Sequence, residues 1–241
     1  MCKHWYLLTP PHKSPGTTNA GLFLFTKLKP VPVALFIIPN LVMYMAHDYY
    51  IFYKPFQVLC QFSAEGDKKT LADFFPGVKK DVYPVGRLDF DSEGLLLLTN
   101  DKQLNHQLLN PLFVHQREYW AQVEGIPDEN ALQVLRQGTS INVDGKMYRT
   151  KPAKVNWMQT EPLVPERNPP IRFRQHIPTS WLSLTLIEGK NRQVRKMTAS
   201  VNLPTLRLIR YSIGSLRLDH MQPGDIIKMG ASVRERLLER K

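Results

Sequence analysis

The stretch Val85-Gly86-Arg87-Leu88-Asp89-Phe90-Asp91-Ser92-Glu93-Gly94 sets one arginine and three carboxylates within a few residues of one another. An uninterrupted aliphatic run, Leu95 to Leu98, follows at once and reads as a buried strand. A rigid strand behind a charged loop can hold a carboxylate in place. A carboxylate that is held and charge-balanced can act as a nucleophile or a general base. Asp89 is the candidate, and Arg87 in the same loop is one possible charge partner. Another comes from Glu188-Gly189-Lys190-Asn191-Arg192-Gln193-Val194-Arg195-Lys196, where residues 190–196 carry four cations. If the chain is helical from Asn191 onward, Arg192, Arg195 and Lys196 share one side at spacings of three and four. One of them can then reach inward and keep Asp89 ionised. The same helix can also serve as an exposed basic face against a nucleic acid.

Other chemistries suit these residues less well. A hard cation wants more oxygen ligands and fewer competing cations than this loop offers. A glycosidase needs two carboxylates facing each other across a sugar. Asp91 and Ser92 are better suited to shaping the loop by bonding nearby amides. None of the seven histidines pairs with another at ligand spacing, so His106 and His115 read as structural or surface residues and no metal is expected.

The 241 residues carry a formal net charge of +11. Lysine and arginine release the counterions condensed on a phosphate backbone, so an anionic partner is expected. Residues 166–217 concentrate the effect: ten Lys/Arg against two Glu, a local net of +8 (10 − 2), with Phe173, Trp181 and Tyr211 interleaved. Phosphate contacts position an RNA without reading its sequence. An enzyme that modifies a base must first take it out of its stack. Arg87, beside Asp89, is a candidate to fill the vacated space. Arg167, Arg172 and Arg174 lie in Glu161–Pro178, a stretch stiffened by five prolines, and suit phosphate contacts. The two cysteines, Cys2 and Cys60, form no disulfide framework and fit a reducing cytoplasm.

The elements that must position these residues begin at Asp48. Tyr49–Tyr53 reads as a strand, and Thr70–Phe75 as a short helix ended by Pro76-Gly77. Asn100-Asp101 caps a helix carrying Leu104, Leu108 and Leu109. Arg117–Val123 alternates as a strand, and Pro127 opens a helix that Gly138 closes. Ile141–Met158 reads as a hairpin turning at Asp144-Gly145. Trp181–Leu186 alternates with period two, so Leu182, Leu184 and Leu186 share a face. A helix over Asn191–Val201, a strand over Leu206–Ile213 and a final strand ending at Ile227 complete an α+β domain on a mixed or antiparallel sheet. Residues 231–241 read as a charged C-terminal tail, a short exposed helix. Residues 1–47 contain no Asp or Glu, four Lys and six Pro. Their longest clean apolar piece, Val33–Ala46, has 14 residues, short of the ~20 that cross a bilayer. They are expected to be a poorly ordered extension rather than a membrane anchor.

Several blocks, in order, resemble the RsuA-like pseudouridine synthase family. They are Lys54-Pro55-Phe56-Gln57-Val58-Leu59, the Asp89 loop, Glu118-Tyr119-Trp120-Ala121-Gln122-Val123-Glu124-Gly125 and Glu188–Met197. Arg167–Arg172, Ile177–Leu182 and Pro204–Tyr211 are similar to the large-subunit pseudouridine synthase E branch. The resemblance implies a catalytic domain over residues 48–230 with that family's fold and no S4-like RNA-binding domain ahead of it. It implies isomerisation of a uridine in 23S ribosomal RNA, by a cytoplasmic monomer without cofactor or metal. Asp89 then takes the place of the catalytic aspartate, Arg87 that of the arginine implicated in base flipping, and Tyr119 that of the tyrosine stacked on uracil. Arg195 takes that of the basic residue paired with the aspartate. Leu206 or Leu208, the latter taken as the candidate, supplies the apolar wall. Lys190, Asn191, Arg192, Lys196, Arg172 and Arg174 are the implied RNA contacts. Phe90 departs from the branch, which often has a basic residue there. The competing reading is a non-catalytic RNA-binding protein of ribosome assembly. Asp89 argues against it, since a carboxylate in an anion-binding cleft repels phosphate.

Overall fold

The computed structural model describes residues 47–171 and 176–239. The expectation for residues 1–46, and the candidates Arg172 and Arg174, lie outside them. The first strands are β1 (Tyr49–Lys54), β2 (Val58–Leu59), β3 (Lys69–Thr70), β4 (Tyr83–Pro84), β5 (Glu93–Thr99) and β6 (Arg117–Glu124). Next come β7 (Ser140–Val143), β8 (Lys146–Arg149), β9 (Lys154–Met158), β10 (Thr179–Leu186), β11 (Thr205–Ile213), β12 (Leu216–Arg217) and β13 (Ile226–Met229). The helices are α1 (Lys102–Leu109), α2 (Glu129–Gln137), α3 (Gln193–Ala199) and α4 (Val233–Leu238). The main sheet runs β13-β1-β5-β11-β6-β10-β9, with β4 beside β5 and β12 beside β11. It is a mixed sheet of an α+β fold: β5 and β11 pair in parallel, and every other pairing in it is antiparallel.

The continuous aliphatic run has a physical reason. β5 is covered on both faces, so it cannot alternate apolar with polar. Leu95 and Leu97 join Tyr49, Ile51, Tyr53, Leu104, Leu108 and Ile209 in one cluster. Leu96 and Leu98 turn the other way, against Phe52, Leu71 and Phe75. A further cluster joins Leu182, Leu184, Leu186 and Leu208 to Leu132 and Leu135 of α2 and Val194 and Met197 of α3. β5 is thus a fixed rail, and the Asp89 loop is the segment that enters it. Gly94 is required here. It sits at φ +116°, and a Cβ on it would meet the backbone N and O of Arg210 at 2.5 Å.

The structure corrects several expected elements. Thr70–Phe75 contains only a 3₁₀ turn, Leu71–Asp73, capped by Thr70 and reciprocally by Asp73. Only β7 and β8 form a hairpin; β9 leaves it to pair with β10, because period-two alternation marks a strand but not its partner. α3 starts at Gln193, not Asn191, because Arg192 sits in the left-handed region at φ 54°. The C-terminal helix is not simply exposed: Val233 and Leu237, one turn apart, are buried. Arg234 reaches from it to Asp101, the residue that caps α1. Among the described residues, no helix is long and apolar enough to cross a membrane.

Candidate active site

The loop into β5 is tied down along its length. Val85 donates its N–H to the Leu97 carbonyl at 2.7 Å. The Leu88 side chain is buried, and its N–H meets the Cys60 sulfur at 3.2 Å. The Phe90 carbonyl accepts from Gln57 N–H at 2.9 Å, and the Asp89 carbonyl from Ser92 N–H at 3.0 Å. Both neighbours of Asp89 are therefore anchored through their backbones. The Asp89 side chain keeps 35% of its exposure.

The cations arrive from the residue before α3 and from its first turn. Arg192 grips Asp91 with two hydrogen bonds of 2.7 Å each. Its Nη1 lies 3.8 Å from Asp89 Oδ2. Arg195 does not make the expected pair with Asp89. It donates to the backbone carbonyl of Asp91 at 2.6 Å and to that of Thr205 at 3.2 Å, with its Nε 3.5 Å from Asp91 Oδ2. The late helix start explains the difference: with Arg192 outside the helix, Arg192 faces the carboxylates and Arg195 lies behind them. Burial alone would raise the Asp91 carboxyl. The hydrogen bonds from Arg192 and the charges of Arg195 and Arg192 outweigh it and hold the group below its usual range.

A further cation stands behind the loop. Lys54 is fully buried and donates to the carbonyls of Pro55 at 2.8 Å and Val58 at 2.7 Å. Burial pulls its ammonium down to about 8, against the opposing pull of Cys60, Glu93, Asp91 and Asp89. Glu93 is itself buried and paired bidentately with Arg207, both contacts 2.8 Å. Arg207 also donates to the Pro165 carbonyl at 2.8 Å, tying the proline-rich segment to β5. In that segment the Arg167 guanidinium lies 4.2 Å from the centre of the Phe56 ring.

Asp89 opens onto a cavity of about 560 Å³, within the range of ligand-sized sites. It gathers Arg87, Asp89, Tyr119, Lys190, Asn191, Arg192 and Leu208. Arg195 and Lys196 are not in its lining. The cavity also contains residues that sequence reasoning missed. Glu188 is buried and accepts from Tyr148 Oη at 2.6 Å, Lys151 N–H at 2.9 Å and Gln193 Nε2 at 2.7 Å. This fastens the β7–β8 hairpin to the cavity wall. Arg117 and Arg210 lie on the same side of the sheet as Tyr119 and Leu208. The period-two rule, applied to β6 and β11, was the available signal. Burial lowers the Arg117 guanidinium, with Tyr119 opposing and Arg210 adding to the effect. Among the described residues, no group of three or more His, Cys, Asp or Glu is placed to hold a metal ion.

A carboxylate exposed to a ligand-sized cavity that an aromatic ring also lines, with an arginine close by, suits chemistry on a flat, uncharged group. Comparison with known proteins says which. The sequence pattern described as RNA pseudouridylate synthase matches residues 48–200. Ribosomal large subunit pseudouridine synthase E of Vibrio parahaemolyticus is 52% identical over 174 residues, covering 72% of this chain and 70% of the relative. The synthase E of Xanthomonas axonopodis pv. citri is 50% identical over 172 residues, 70% of this chain and 87% of the relative. A solved structure, described as the crystal structure of pseudouridylate synthase, superposes with a TM-score of 0.64 at 27% identity. That match spans 80% of this chain and 75% of the other. With the pattern spanning most of the chain and relatives at half identity, this chain belongs to the RNA pseudouridylate synthase family and is an RNA pseudouridine synthase.

Proposed function

We propose that this enzyme isomerises one uridine of 23S ribosomal RNA to pseudouridine, with Asp89 as the catalytic carboxylate. The observation that carries the reading is the placing of Asp89. Its carboxylate opens onto the cavity that Tyr119 and Leu208 also line, and Arg192 stands 3.8 Å away. The relatives at half identity are named for large-subunit ribosomal RNA. The uridine leaves the RNA stack and lies against Tyr119, with Leu208 as the apolar wall. Arg87, exposed at the cavity mouth, takes the space that the base leaves. Lys190, Asn191, Arg192 and Lys196, with Arg172 and Arg174, hold the RNA backbone. Arg195 acts on Asp89 through Asp91. The N1–C1′ bond breaks, the base turns, C5 bonds to C1′, and the C5 proton leaves. The reaction conserves every heavy atom and is redox-neutral, so it calls for no external reductant or group donor. Residues 48–230 form the catalytic domain. The working unit is read as a monomer that needs no cofactor or metal. A ribosomal substrate in turn fits the cytoplasm.

The test is tritium release from C5-labelled uridine in unmodified 23S ribosomal RNA, with wild type and Asp89→Asn side by side. Release by wild type alone, with RNA bound equally by both, is expected. Wild-type turnover by Asp89→Asn would remove the role given to Asp89. Tight RNA binding without release by either protein would favour a ribosome-assembly role or a different RNA.

A further inference from the structure

Two arginines at the cavity have no part in holding Asp89. Arg210 is 3% exposed. Its Nε donates to the Leu95 carbonyl at 2.8 Å, and its Nη2 is buried without a hydrogen-bond partner. Arg117 donates Nη2 to the Leu108 carbonyl at 2.7 Å. Neither guanidinium is paired with a carboxylate among the described residues. Strand register brings them to the base site: Arg210 stands opposite Tyr119, and Arg117 lies two residues before Tyr119 on β6. A buried guanidinium normally has its charge answered by a carboxylate, because an uncompensated buried charge is costly. Here a buried cation, Arg210, and a half-buried one, Arg117, lie together beside the ring on which the base would stack. A phosphodiester is a poor candidate for the answering charge, since it stays with the strand at the mouth. The flipped base is the part of the substrate that reaches this wall.

We infer that Arg117 and Arg210 form a positive floor that stabilises the uracil while it carries negative charge. The inference rests on the uridine-isomerising function proposed above. Either of two jobs for Asp89 makes the same demand on this floor. If Asp89 bonds to C1′, its electron pair replaces that of the N1–C1′ bond, which departs with the uracil. If a C2′ proton is lost instead, the same N1–C1′ pair departs with the base. Either way the uracil holds an extra electron pair, spread over N1, O2 and O4, until C5 bonds to C1′; in the first path the Asp89–C1′ bond then breaks and its pair returns to the carboxylate, and in the second the proton returns to C2′. The C5 proton then leaves and N1 gains one. Fixed donors aimed at charge that exists only during the reaction act on rate rather than on binding. Because its Nη2 lies beneath the surface, Arg210 acts on the uracil by its field rather than through a hydrogen bond from that atom.

The experiment uses the full chain and 23S ribosomal RNA transcripts made with uridine or with 5-fluorouridine. Fluorine at C5 withdraws electrons and itself stabilises the departing base; with no C5 proton to lose, that transcript stops at the C5-linked nucleoside, which takes up water at C6 and is the product counted. Single-turnover rates at saturating enzyme are followed by nuclease digestion and chromatography of the nucleosides. Arg210→Gln is expected to slow the uridine transcript ~10²-fold, with RNA affinity unchanged. The loss on the 5-fluorouridine transcript should be several-fold smaller. Arg210→Lys should recover part of the rate, and Arg117→Gln should show the same pattern more weakly. Equal losses on both transcripts, or an affinity loss that accounts for the rate loss, would overturn the inference. If Arg210→Gln fails to fold, the same comparison with Arg117→Gln decides. Failure of the proposed function is read separately, from Asp89→Asn.

Discussion

Arg192 holds Asp91 through two 2.7 Å hydrogen bonds and reaches Asp89 only at 3.8 Å. The tighter grip is thus on the neighbour that shapes the loop, and Asp89 is left free to act. Arg192→Ala or Asp91→Ala should lower the single-turnover rate ~10²-fold by displacing Asp89, as small misplacements of reacting groups do. The double variant should be little worse than either single one, because both remove one interaction. Additive losses would show that the two residues act independently.

Glu93 and Arg207 form an ion pair that is almost wholly buried. Removing one partner leaves a buried charge unanswered, at about 3–5 kcal/mol. Glu93→Gln should lower the urea midpoint accordingly, and adding Arg207→Met should restore much of the loss. A Glu93→Gln protein of wild-type stability would contradict the buried pairing.

Gly94→Ala combines a strained backbone at φ +116° with a 2.5 Å approach to Arg210. The strain alone costs roughly 1–3 kcal/mol, and the clash would push β11 away from β5. A drop of at least about 3 kcal/mol, or no folded protein, is expected from denaturant unfolding.

Lys54 gives a pH dependence of definite sign. Its folded value of about 8 lies below its ordinary 10.5, so between these values the unfolded chain binds the extra proton. Stability from this group therefore rises as pH climbs through that window. Between pH 7 and 9.5, wild type should gain about 1–2 kcal/mol relative to Lys54→Met, measured by urea unfolding at both values. An unchanged difference between the two proteins would refute the depressed lysine.

A chain beginning near His47 should keep its fold and its tritium-release rate, because the strand that follows, β1, is already fixed on both sides. Its neighbours there are β5 and β13. Loss of soluble expression on that truncation would assign the first 46 residues a structural role.

Patterns of apolar spacing made the strands that flank the site legible. β5 announced itself by four leucines, and β10 by alternation that buries Leu182, Leu184 and Leu186. The cavity likewise gathers Arg87, Asp89, Tyr119 and Leu208, which the family resemblance had singled out. What stayed hidden depends on backbone conformation or on long-range pairing. Nothing in Asn191-Arg192-Gln193 signals that Arg192 takes a left-handed conformation, and that residue decides which arginine faces Asp89. Arg117 and Arg210 were given no role from the sequence, because alternation does not tell which face of a strand is covered. Only the placing of β11 between β5 and β6 turns that face inward. The fate of β9 was illegible for the same reason: its partner is β10, beyond the proline-rich segment.

The parallel contact of β5 with β11 also bears on how the protein comes into being. Glu93 meets Ile209, and Gly94 meets Arg210, across more than a hundred residues of intervening chain. A ribosome extending this polypeptide exposes Asp89 long before Arg192, Arg195 or β11 exist. Half-made chains therefore carry the acidic loop without Arg192 and Arg195. Pairing so distant in sequence closes a large loop and belongs among the slower steps of folding. Competence to hold RNA at this cleft should thus arise late and all at once, when the last third of the chain docks. Pulse-labelled nascent chains stalled before β11 would be expected to show protease-sensitive β5 segments, and chains stalled after it protected ones.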